Sequence, residues 1–141
     1  MPQLSEPARS RLRATTSATP DEVRDAAARA AASAKGDLYN GRQRMSRLRS
    51  AAGSDVYEVR DVLGTRRLMV VRVVAARKEG RTAVRVDVEE AAIVARSRLI
   101  RMKEPRVLAL HTLRQFLASL ADALRELDPA VSVRVRETLT D

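Results

Sequence analysis

The chain has no cysteine or tryptophan, and only one phenylalanine, two tyrosines and one histidine in 141 residues. Without cysteine there is no disulfide framework, no thiolate metal site and no thiol nucleophile. A single histidine leaves little for imidazole chemistry. The five glycines are scattered as turn punctuators and form no phosphate-cradling loop. No run of about 18 apolar residues is present to cross a membrane, and Met1 to Ala18 lacks the apolar core of a secretory signal. The expected compartment is the cytoplasm. The length suits one domain with a hydrophobic core and is too short for two ordinary ones.

What the chain does have is charge, most of it arginine. Lys and Arg number 27 against 18 Asp and Glu, for a formal charge of +9, and only Lys35, Lys78 and Lys103 are lysine. Residues 1–41 carry 6 basic and 5 acidic side chains and residues 107–141 carry 4 and 5, whereas 42–106 carry 17 and 8. The surplus therefore belongs to the middle segment, where the strand signals also lie. Two readings stay open. A GC-rich genome favours Arg, Ala and Val codons, and the guanidinium fork suits phosphate and carboxylate.

Along the chain, residues 1–18 mix Pro, Ser, Thr and Arg without apolar periodicity and read as a flexible tail, leaving 19–141 as the domain. Thr19 as cap, Pro20 at the first turn, Asp21 and Glu22 at the positive dipole end and Gly36 as terminator predict a helix over 20–35. Its inner face is Val23, Ala26, Ala27, Ala30, Ala31 and Ala34, small enough for close packing. RQRMSRLRS reads as an edge strand with Met45 as its apolar contact. Strands follow at Val56 to Leu63, Arg66 to Arg77 and Thr82 to Glu89, the last alternating Val84, Val86 and Val88 with charged residues. Ala91 to Lys103 continues the hairpin rhythm as a further strand. Beyond Pro105, Leu110, Leu113, Leu117, Leu120, Leu124 and Leu127 fall at spacings of 3 and 4 beside Phe116, which predicts a long amphipathic helix. Asp128-Pro129 stops it, and Val131, Val133 and Val135 suggest a short final strand. The expected fold is α+β: an N-terminal helix, an antiparallel sheet of about four strands, a long C-terminal helix packed on that sheet, and a short last strand.

The middle and C-terminal parts, over roughly 45–137, carry a set of patterns: VYEVRD, the valine-rich pair RRLMVVRVV and RTAVRVDVE, Pro105-Arg106, Phe116, and Asp128-Pro129-Ala130 before SVRV. In these the chain resembles small actinobacterial proteins of a reduced helix-grip, START-like or TBP-like, architecture. The resemblance implies a curved sheet gripping a long helix, with an apolar ligand enclosed between them.

Candidate chemistry is sparse. His111 has no nucleophile or orienting carboxylate at a motif spacing, and Asp87, Glu89 and Glu90 lack the spacing of a calcium loop. No catalytic residue, metal ligand or cofactor is assigned, and the chain reads as a non-enzymatic binding or interaction module. An apolar ligand or a partner segment would use a cleft lined by Met69, Val71, Val73, Val84, Val86, Leu113, Phe116, Leu117 and Leu120. The alternative is that these side chains simply pack together. The sheet edge or basic face would dock a protein partner, including a second copy. A nucleic-acid reading rests on Arg42, Arg44, Arg47, Arg49, Arg66, Arg67, Arg72 and Arg98 as phosphate contacts, without aromatics to stack bases.

Overall fold

The computed structural model describes residues 10–34, 43–61, 66–91, 93–94, 106–107 and 109–136. In chain order they form β1 (Ser10–Thr16), α1 (Pro20–Ser33), β2 (Arg44–Ala51), β3 (Ser54–Arg60), β4 (Arg67–Lys78), β5 (Arg81–Ala91), β6 (Ile93–Val94), β7 (Arg106–Val107), α2 (Leu110–Leu127) and β8 (Ser132–Val135). The class is α+β. Six strands make one antiparallel sheet in the order β2-β3-β4-β5-β1-β8, and β6 pairs with β7 separately.

The expected N-terminal tail is corrected by β1, which lies inside the sheet between β5 and β8. Its alternation is real but faint, because Leu12 is its one large apolar residue while Ala14 and Thr16 complete the inner face with small side chains. All three are buried. The main sheet has six strands: β2 to β5 form the meander, the short final strand expected near Val131 to Val135 is β8, and β1, which the sequence did not suggest, joins β8 to β5. The strand expected over Ala91 to Lys103 does not continue β5. β5 runs to Ala91, Ile93–Val94 pairs with Arg106–Val107 in the separate sheet, and 92 and 95–105 lie outside the described residues. The strand expected to Leu63 stops at Arg60, where Asp61 N donates to Arg66 O.

Both helices cover the same face. Thr19 caps α1 through a reciprocal pair of bonds, Glu22 N to Thr19 Oγ1 at 3.2 Å and Thr19 N to Glu22 Oε1 at 3.0 Å. Its alanine face is buried as expected, and with only methyl groups between them α1 lies closely against β4 and α2. The leucine stripe of α2, with Phe116, completes a core shared with Met45, Tyr57, Val59, Met69, Val71, Val73, Val84, Val86 and Leu12. Ala109 enters α2 at φ 65° with no side-chain cap, a left-handed conformation costly for a residue with a Cβ. Thr112 Oγ1 secures that end instead, donating to Gln43 Oε1 at 2.8 Å.

Two polar anchors fix the helices to the sheet. At one, Asp128 accepts from Thr16 Oγ1 at 3.2 Å, Ser17 N at 3.0 Å and Ala130 N at 3.2 Å, while Thr82 Oγ1 donates to Ala18 O at 2.6 Å. These bonds tie the end of α2 to the β1–α1 turn, and the Ser17 backbone bond in particular holds the Asp128 carboxyl below its usual range. At the other, Arg24 of α1 grips Asp55 of β3 with two bonds of 2.9 Å, and Ser50 joins them. The Asp55 side chain is fully buried, so the guanidinium supplies the charge that replaces water.

Two outcomes follow from this architecture. Leu12→Ala should cost about 3 kcal/mol in urea unfolding, as for a core leucine, where a tail residue would change stability negligibly. Arg24→Met should cost about 3 kcal/mol by leaving the Asp55 charge buried alone. Arg24 holds the Asp55 carboxyl below its ordinary range. The stabilisation is therefore complete above the unfolded carboxylate pKa and is lost as pH falls through the lower folded value. A urea series at descending pH should show this acid loss in the parent and a smaller one in Asp55→Asn.

Candidate functional site

With both described helices on one face, no helix among the described residues covers the other face of the sheet, and strand alternation decides what lies there. Tyr57 meets Phe116 of α2 at 6.1 Å between ring centroids, which fixes Tyr57, and with it Asp55 and Val59, on the helix side. Cross-strand partners share a face, so the registers carry the assignment through the sheet. On the open side, Arg134 of β8 stands opposite Arg13 of β1, and Arg13 stands opposite Arg85 of β5. Three arginines thus occupy adjacent positions on three consecutive strands.

Beside this row is an open concavity of about 580 Å³. Its floor is made of small side chains, Thr15, Ala76, Ala83 and Ser132, which are themselves paired across the strands. Arg13, Arg85, Arg134 and Lys78 supply its cationic groups. Arg85 is held by Asp87 at 2.9 Å, and among the described residues neither Arg134 nor Lys78 takes part in an ion pair. Like charges directly opposite one another across strands repel.

The rest of the open face is better neutralised. Glu58 is buried and accepts from Arg60 at 2.8 Å and Arg67 at 3.0 Å, which hold its carboxyl below the usual range, the Arg60 bond most strongly. Glu90 lies 3.8 Å from Arg67, and Glu89 lies 3.3 Å from Arg72. Asp87, Glu89 and Glu90 therefore each face an arginine. His111 is exposed on α2, with Gln115 Nε2 3.1 Å from its Nε2.

Of the arginines predicted as phosphate contacts, Arg44, Arg49 and Arg72 stand on the open face by register, and Arg67 reaches it through Glu58. Arg47 stands opposite Tyr57 on the helix side, 6.0 Å from the ring centroid, and so is not part of that face. Arg66 is exposed at the start of β4, and Arg42 and Arg98 lie outside the described residues. Sequence reasoning missed Arg13, Arg85, Arg134 and Lys78 as a group. Arg13 and Arg134 were counted in segments of near-zero charge, and the signal available was the alternation in RLRATT and SVRV. The nine predicted cleft residues are brought together between sheet and α2, each no more than 2% exposed and all within the packed core.

No protein-family model, curated protein or solved structure matches the chain. Among the described residues, no helix is long and apolar enough to cross a membrane.

The repulsion within the row is measurable. Arg134→Thr should stabilise the fold by about 0.5 kcal/mol at low ionic strength, with the gain shrinking as salt screens the Arg13–Arg134 repulsion that only the parent carries. A set of urea midpoints at rising salt checks both the sign and the decay.

Proposed function

We propose that the protein is a non-enzymatic binding module that takes an anionic partner on the open face of its sheet. The observation that carries this reading is the cross-strand row of Arg134, Arg13 and Arg85 bordering a concavity floored by small residues. Its guanidiniums offer forked donors to phosphate or carboxylate oxygens, and the floor lets a ligand approach the strands closely. The helix-grip likeness remains part of the proposal, supported by an antiparallel sheet with α2 laid on one face. An apolar ligand between them is less favoured, because the residues that would line its site already fill the core.

Chromatography on phosphocellulose tests the reading. The row variant Arg13→Gln/Arg85→Gln/Arg134→Gln should elute at much lower salt than the parent. A control on the helix-covered side, Arg29→Gln/Arg114→Gln/Arg125→Gln, removes the same charge and should elute with the parent. Equal losses in both variants would reduce the effect to net charge and overturn the reading.

A further inference from the structure

Resting on that anion-binding reading, we propose that the partner is the phosphodiester backbone of double-stranded nucleic acid, held along an arginine band that crosses the sheet from one edge to the other. The row at β8, β1 and β5 is one end of this band. Arg85 stands opposite Val74, and two residues further along β4 on the same face is Arg72. Arg72 stands opposite Val56 of β3, and Val56 stands opposite Arg49 of β2. The band thus takes an arginine from every strand except β3, where Val56 is buried between two of them and the open-face Arg60 is bonded to Glu58.

The length of the band selects the class of anion. Strands spaced about 4.8 Å apart carry it across roughly 24 Å, well beyond one phosphate group. Over that distance one strand of a duplex presents about seven phosphates, at one per 3.4 Å of axis. The charge comb of nucleic acid is uniform and independent of sequence, and so is a band built from one residue type. Asp87 on Arg85 and Glu89 on Arg72 hold two guanidiniums across the face, and such partly exposed pairs are weak enough for a phosphate to take over.

What accompanies the arginines separates duplex from single strand and from acidic peptide. Single strands gain affinity by stacking bases on aromatic side chains, and the described aromatics, Tyr57 and Phe116, are both buried on the helix side. A peptide on a sheet is read by pairing with an edge and by pockets for alternate side chains. The concavity lies on the face of the sheet, where β1 is already paired on both sides with β5 and β8 and offers no open edge. A backbone reader without base contacts is the remaining match, and it binds without sequence preference.

Fluorescence anisotropy on the full chain tests this, using two duplexes of about 20 base pairs with unrelated sequences, one of their single strands and a polyglutamate peptide. The plot of log affinity against log salt for the duplex should have a slope of about −4.5, from roughly five phosphates neutralised. The two duplexes should agree within about twofold, and the single strand should bind more weakly. Arg49→Gln and Arg134→Gln, at opposite edges, should each reduce the slope by about 1. Circular dichroism confirms that these exposed-site variants are folded. Polyglutamate or the single strand binding as tightly as the duplex would overturn the assignment. So would a slope that falls with Arg134→Gln and not with Arg49→Gln. That result confines binding to the corner concavity and leaves the anion-binding reading standing, whereas failure on phosphocellulose removes both.

Discussion

The structure depends on where β1 goes. Ser10–Thr16 inserts between β5 and β8, pairing with both, and is held there by the bonds that Thr16 and Ser17 give to Asp128. With β1 in place, Leu12, Ala14 and Thr16 close the core beneath the helices. The same alternation sends Arg13 and Thr15 to the opposite face. A single strand thus completes the apolar side of the sheet and the centre of its cationic row.

Much of the fold was legible because the physics behind it is local. The capping box of α1, its alanine face and the leucine stripe of α2 are set by residues within one or two helical turns of each other, and each stands where its pattern predicts. The edge character of β2 was also readable, since Met45 is its one deeply buried residue among arginines and serines. β1 was not readable, because its inner face uses small residues whose burial depends on a partner far along the chain. The pairing of Ile93–Val94 with Arg106–Val107 in a separate sheet was equally invisible, because it depends on a partner a dozen or more residues away.

The functional face was legible in composition and misplaced in position. Counting charge along the chain assigned the surplus to 42–106, where several arginines turn out to be neutralised by Glu58, Glu89 and Glu90. The concentrated row draws Arg13 and Arg134 from segments that are nearly neutral in sequence. Antiparallel pairing makes neighbours of residues that counting keeps apart. The arginine-rich appearance of the chain is thus a weaker guide than the register that gathers arginines on one side.

The order β5-β1-β8 also bears on when this surface exists. Thr16 and Asp128 are 112 residues apart, and closing so long a loop is among the slowest and most entropically costly contacts a chain makes. β2 to β5 can pair as successive hairpins before β1 has any place to dock. Until β1 and β8 come together, Arg13, Arg85 and Arg134 are strangers on separate stretches of polymer. The proposed anion site is thus a property of the assembled sheet, complete only when β1 stands between β5 and β8.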